Sequence, residues 1–183
     1  MTIVFLLEER SAKYLLDIIL PRLLPEDVEW KTIPHEGKSD LEKSIPRKLA
    51  AWKTPDTRFI VLHDQDSNDC QELKKRLQNL CSERDKEVLV RIACRELEAW
   101  YFGDLKAVSK AYGKDLTALS VKRKYRDPDA IGNPKQELRK LLPEHEQISG
   151  AKRIGPLMDL EHNTSKSFCV FLQGIARFCK KDI

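Results

Sequence analysis

The stretch Arg58-Phe59-Ile60-Val61-Leu62-His63-Asp64-Gln65-Asp66-Ser67-Asn68-Asp69 decides the fold. Arg58 to Leu62 is β-rich and almost wholly apolar, the pattern of a strand buried on both faces of a parallel sheet. The chain then turns abruptly acidic. Asn68-x-x-Gln71 and Asp69-x-x-Glu72 both have capping-box spacing, so Ser67, Asn68 and Asp69 read as helix caps. The helix begins at Asn68 and carries Leu73, Leu77 and Leu80 on one face. Asp64 and Asp66 lie upstream of that cap and need another explanation.

Outward from this stretch, the strand–helix alternation recurs. Thr2 to Leu7 (TIVFLL) is a second continuous apolar run. Tyr14, Leu15, Ile18, Ile19 and Leu23 follow at helical spacing, with Ser11 as N-cap and Pro21 near the end. Val28 to Ile33 alternates apolar and polar residues, which predicts a strand with one face more exposed. A turn at Pro34-His35-Glu36-Gly37 leads into a helix capped by Ser39 or Asp40. It runs through Leu41, Ile45, Leu49 and Trp52, kinked or shortened by Pro46. Glu87 to Ala93 is the last strand. The order β-α-β-α-β-α-β predicts an α/β fold with a mostly parallel four-stranded sheet between helices. After residue 94 the strand signal fades into predicted helices at about 96–111, 134–142 and 165–180, around a basic, turn-rich stretch at 120–133. Two parts are expected: an α/β domain over 1–102 and a helical C-terminal extension over 103–183 packed on it.

The 183 residues are 41% hydrophobic, enough for one domain with a core, and 34% charged, which gives a strongly charged surface. No run of about 18 apolar residues exists to span a membrane. Met1 to Leu7 lacks the basic start and the length of a signal peptide, so a cytoplasmic protein is expected. Cys70, Cys81, Cys94, Cys169 and Cys179 are odd in number and contain no CxxC pair; they read as free thiols in a reducing compartment. The net charge of +4 is unevenly spread: residues 1–102 carry −2 and residues 103–183 carry +6. An acidic half beside a basic half suits a polyanion partner.

In open α/β sheets, ligands bind beyond the carboxyl ends of the strands. Three of the four predicted strands deliver acids there: Glu8 and Glu9, then Asp64 and Asp66, then Glu96 and Glu98. If the chain stays extended from Asp64 to Asp66, their side chains share one side. Carboxylates gathered in this way repel one another unless a cation lies between them. Hard oxygen donors suit Mg²⁺ or Mn²⁺. Glu8, Asp64 and Asp66 would then hold one or two metals for in-line phosphoryl displacement. Glu96 and Glu98 stand about 200° apart on a helix, so one faces the site. With Leu97, Trp100, Tyr101 and Leu105 as the buried stripe, Glu98 is favoured and Glu96 is the alternative.

These residues give the chain a resemblance to the Toprim domain of topoisomerases, primases and OLD-type nucleases. LLEERSAKYLL (6–16) is similar to its opening strand–helix, where many members have a glycine at the position of Glu9. FIVLHDQDSND (59–69) is similar to its Asp-x-Asp motif. RELEAWYFGD (95–104) is similar to an acid-x-Trp segment of defence-associated Toprim-like proteins, with Glu98 before Trp100. PHEGKSDLEKSIPRKLAAW (34–52), VLHDQDSNDC (61–70), RIACRELEAW (91–100) and SKSFCVFLQG (165–174) look like the signature blocks of a Toprim-like family of unknown function. Genes of that family often neighbour an AAA/ABC-type ATPase in bacterial defence loci. The resemblance implies a Rossmann-like Toprim fold and Mg²⁺ or Mn²⁺ held by Glu8, Asp64, Asp66 and Glu98. It also implies phosphodiester hydrolysis of nucleic acid, DNA foremost, and an effector role beside an ATPase in antiviral defence.

A nuclease also needs positive charge for the phosphate. Lys152, in SGAKR, is the candidate catalytic lysine, with Arg153 beside it and Lys166 in HNTSKSF. Lys122-Arg123-Lys124-Tyr125-Arg126 is the densest basic run. Phosphate contacts from Lys122, Arg123, Lys124, Arg126, Arg153 and Lys166 would be salt-sensitive and indifferent to base sequence. His63 reads as a packed or surface histidine facing away from the aspartates. His35, Glu36 and Lys38 form a polar turn or a pocket wall. The chain has no Walker A loop and no GxGxxG, which argues against a P-loop nucleotide site. Two other functions fit the same residues. One is an interaction module with structural acids, docked on an ATPase. The other is a phospho-receiver-like domain, for which a fifth strand carrying a lysine is missing.

Overall fold

The alternation is realised, in a computed structural model that describes residues 1–82 and 85–179, as four parallel strands. They are β1 (Thr2–Leu7), β2 (Glu29–Pro34), β3 (Thr57–Asp64) and β4 (Val88–Ala93), in the order β2-β1-β3-β4. The two continuous apolar runs are the two central strands. Leu7 pairs with Leu62, and Asp64 with Ala93, so β1, β3 and β4 release their chains at one edge of the sheet.

Both sheet faces are covered, which is why these strands could not alternate. Ile3, Phe5, Leu7, Ile60 and Leu62 pack on one side with Leu15, Leu16 and Ile19 of α1 (Arg10–Ile19). Val4, Leu6, Phe59 and Val61 face the other side, against Leu41, Ile45 and Leu49 of α2 (Lys38–Ala51) and Leu73 and Leu77 of α3 (Cys70–Cys81). α3 starts two residues later than predicted, because Asp69 is the N-cap and accepts the N–H groups of Gln71 and Glu72. α2 starts at Lys38, after Gly37 at φ 98°, and continues past Pro46 to Ala51.

The later residues form α4 (Ala99–Phe102), α5 (Leu105–Tyr112), α6 (Pro134–Leu141), α7 (Gln147–Ile154) and α8 (Lys166–Phe178). Leu138, Ile154, Phe168, Phe171 and Ile175 join the same apolar cluster as β1 and α1. Trp100 is its hub, with the Phe168 and Phe171 rings centred 5.0 and 5.1 Å away. The single helix predicted at 96–111 is two helices. Asp104 interrupts it and caps α5 through the Ala107 N–H at 3.0 Å. α7 was not predicted, because Gly150 in its middle weakens the helical signal. All five cysteines are free. Among the described residues, no helix is long and apolar enough to cross a membrane.

Candidate active site

Glu8 follows β1 directly, and two backbone bonds fasten the β2–α2 turn to this point: His35 N–H to Leu7 O and Gly37 N–H to Glu8 O. The Glu8 carboxylate reaches across to β3, where Oε2 accepts the Asp64 N–H at 3.0 Å and lies 3.0 Å from His63 Nδ1. Burial would raise the Glu8 pKa, but the bond and charge of His63, the Asp64 N–H and the Lys38 ammonium together lower it. His63 is fully buried, and its Nε2 lies 3.5 Å from Glu42, which pairs with Arg76. Burial alone would lower the His63 pKa, but the bond and charge of Glu8, the Asp64 carbonyl and the Glu42 charge together raise it, so His63 keeps its proton more readily than a free histidine. That role was missed in the sequence, where its partner lies 55 residues away.

Asp64 ends β3. Burial, reinforced by the charges of Glu8, Glu98 and Glu9, pushes its carboxyl well above the ordinary aspartate range, against a bond from the Leu97 N–H. Glu98 stands at the N-cap of α4, 2% exposed. Burial and the Glu9 charge raise it to about 7. Glu9, which was not singled out as a ligand, belongs to the same group. Gln147 Nε2 donates to both its oxygens at 3.1 and 3.0 Å, and Ser11 Oγ donates to Oε1. Tyr101 reads as core in the sequence and is 1% exposed, but its hydroxyl finds no hydrogen-bond partner among the described residues. Burial raises its pKa, and so do the charges of Glu98, Glu9 and Asp64, which places the phenol beside the acids.

The other predicted residues lie elsewhere. β3 stops at Asp64, and Asp66 adopts a left-handed backbone with φ 52°, so the extended geometry expected for Asp-x-Asp is absent. Its N–H bonds to the carbonyl of Arg95, itself at φ 62°, and its carboxylate lies 3.4 Å from Lys38 Nζ. Aspartate tolerates this conformation better than most residues. Glu96 caps α6 by accepting the Lys135 N–H at 2.9 Å, which leaves Glu98 as the acid of the pair in the cluster. Lys152 sits over the Tyr14 ring at 4.3 Å, and Arg153 over the Tyr112 ring at 5.5 Å. Neither forms an ion pair with the clustered acids. Lys166 opens α8 and borders a cavity with Cys70 and Arg91. Lys122, Arg123, Lys124 and Arg126 are exposed, with Lys124 paired to Glu137. His35 is structural: its ring bonds Leu7 O and Ser44 Oγ, each at 2.8 Å.

Among the described residues, no three His, Cys, Asp or Glu side chains are set to hold one metal ion. The donor chemistry suits a hard divalent cation, since mutual repulsion and burial disfavour the bare charges of Asp64 and Glu98. Glu8, Asp64 and Glu98 would need side-chain rotation to share one ion.

A second buried group lies behind this cluster. His145 is 1% exposed, its Nδ1 is 2.7 Å from the Tyr112 hydroxyl, and burial lowers its pKa to about 4. A base with a depressed folded pKa is more protonated in the unfolded chain, so it removes stability as pH falls from 6.5 to about 4. The limit is about 3 kcal/mol. Glu98 runs the other way: its raised pKa favours the folded state as pH falls from about 7 to 4.5. The raised pKa values of Asp64 and His63 add to the Glu98 side. Metal-free wild type is therefore expected to gain stability as pH falls from 7 to 4.5. Glu98→Gln should gain less over that range in urea unfolding, and an equal gain in the two proteins would refute the assignment.

A search of curated proteins and a search of solved structures each return no match to this chain. The chain belongs to the family described as a domain of unknown function, DUF4276, whose model matches residues 7–176.

Proposed function

We propose that this chain is a divalent-cation-dependent nuclease of the Toprim type, which hydrolyses phosphodiesters in nucleic acid, DNA foremost. The observation that carries the reading is the convergence of Glu8, Asp64, Glu98 and Glu9 at the carboxyl edge of the parallel sheet, with Asp64 and Glu98 held above their ordinary pKa. Buried like charges at a ligand-binding edge suit a cationic cofactor. Glu8, Asp64 and Glu98 would hold Mg²⁺ or Mn²⁺, with Asp66 on the Lys38 side. Bound there, the ion supplies Lewis-acid activation of water and phosphate. His63 fixes the Glu8 carboxylate, and Gln147 fixes that of Glu9. Lys38, beside Asp66 and in electrostatic reach of Glu8, is placed to receive phosphate charge. Lys152 is turned onto Tyr14, so Lys38 replaces it as the candidate lysine. The effector role beside an AAA/ABC-type ATPase in antiviral defence rests on the sequence resemblance.

A second reading, a catalytically silent module docked on such an ATPase, is favoured by one observation: among the described residues, no three donors are set around a single ion. Incubation with plasmid DNA and Mn²⁺, with and without the neighbouring ATPase, separates the two. Cleavage by wild type that falls at least 100-fold in Asp64→Asn supports the nuclease. Stable ATPase binding by both proteins with no cleavage by either supports the silent module.

A further inference from the structure

Phe102 and Tyr125 stack with their ring planes 6° apart and centroids 5.6 Å apart. The pair walls a cavity of about 510 Å³ in the helical half of the molecule. Leu105 and Ala107 continue its apolar side. Three cations border it: Lys106 and Lys110, one turn apart on α5, and Arg126 at the end of the basic run. Among the described residues, none of the three pairs with a carboxylate, whereas neighbouring Lys124 is engaged by Glu137.

The acids in the wall are directed at main-chain donors. Asp104 accepts the N–H groups of Ala107 at 3.0 Å and Asp159 at 2.7 Å. Asp159 in turn accepts those of Glu161 and His162. Both acids stay charged but are turned to the main chain, so the lining of three cations and two carboxylates carries a net +1. The space is of the size that takes a small organic ligand. A purely apolar ligand would leave the cations without purpose, and inorganic phosphate would leave the aromatic wall unfilled. A planar ring carrying a phosphate satisfies both.

We propose that this cavity binds a nucleotide, its base against Tyr125, which is backed by the buried Phe102 ring, and its phosphate on Lys106, Lys110 and Arg126. α4 connects it to the carboxylates. Tyr101 sits beside the acids and Phe102, the next residue, lines the cavity. Nucleotide binding here does not depend on the nuclease reading. The ligand is either a free nucleotide or the terminal nucleotide of a strand.

Calorimetric titration with AMP, with a 5′-phosphorylated dT10 oligonucleotide, with adenosine and with inorganic phosphate tests the assignment. AMP or dT10 is expected to bind at least tenfold more tightly than adenosine or phosphate. Preference for AMP identifies a free nucleotide, and preference for dT10 a strand end. Combined Lys106→Gln, Lys110→Gln and Arg126→Gln should weaken binding at least tenfold. These three side chains are exposed, and thermal unfolding checks that the variant is folded. Ser120→Trp, which obstructs the cavity without changing its charge, should weaken binding similarly. Lys53→Gln, which removes an exposed cation outside both sites, should bind as wild type does. No binding of AMP or dT10, phosphate as tight as either, or unchanged binding in both cavity variants overturns the proposal.

Discussion

Millimolar Mn²⁺ or Mg²⁺ is expected to raise the unfolding temperature of the wild-type chain and to leave Asp64→Asn unmoved. Metal-free, Asp64→Asn should be the more stable protein. Burial and the charges of Glu8, Glu98 and Glu9 all oppose ionisation of Asp64, so a neutral amide relieves them. The amide oxygen can still accept the Leu97 N–H. A cation reverses the order, because the same repulsion that destabilises the free site drives ion binding. At a hundredfold excess over the dissociation constant, binding stabilises by about 2.7 kcal/mol. In a chain of this length that is a shift of about 5–10 °C. Equal shifts in wild type and variant would place the ion elsewhere. No shift in wild type at 10 mM would remove the cation site and leave the docking module as the better reading.

The sheet and two of its acids were legible because β1 and β3 are apolar without a break. Only a sheet covered on both faces needs that pattern, and it puts Glu8 and Asp64 at one edge. Asp66 was not legible as it stands. Its placement turns on one left-handed residue bonded to another, Arg95, and no local pattern announces such a pairing. Glu9 was placed at the sheet edge but not within the buried cluster, and Tyr101 not near the site at all. Glu9 depends on Gln147, whose helix is obscured by Gly150, and Tyr101 is indistinguishable from the core stripe that includes Trp100. Glu98 was preferred to Glu96 on helix geometry, but α4 begins only at Ala99 and both acids lie in the turn before it. The helix expected at 134–142 starts at Pro134, but the role of Glu96 rests on a bond from the Lys135 N–H, 39 residues away, which no local pattern announces. The cavity in the helical half had only its basic run in the sequence, since stacking of Tyr125 on Phe102 closes 23 residues of chain.

Gly103→Ala is expected to cost about 4–5 kcal/mol and to leave little folded protein at 37 °C. The backbone there is ordinary, at φ −69°, so the reason is space and not conformation. An added Cβ would lie 1.9 Å from Asn163 Oδ1 and 2.8 Å from the Ser165 nitrogen. Asn163 is buried and cannot simply step aside. Its Nδ2 donates to Trp100 O at 2.9 Å, and its Oδ1 accepts the Ser165 N–H at 2.9 Å. Gly103 O also accepts the Thr164 N–H. Asn163 thereby clamps the end of α4 to the segment that caps α8. Overpacking of a tight site costs about 1–3 kcal/mol. Displacing Asn163 leaves two buried backbone groups unpaired, at about 1–3 kcal/mol each. Urea unfolding of Gly103→Ala beside Gly103→Ala/Asn163→Gly checks the cause. The double variant makes room for the methyl group and should recover about 1–2 kcal/mol relative to the single variant, since the overpacking is gone while the two bonds stay lost. A double variant less stable than the single one would show that the close approach at Gly103 is not what limits substitution. A loss in the single variant would reach the acids as well, because Glu98 is the N-cap of α4 and Tyr101 lies within it, so the seating of α4 on α8 fixes where both stand.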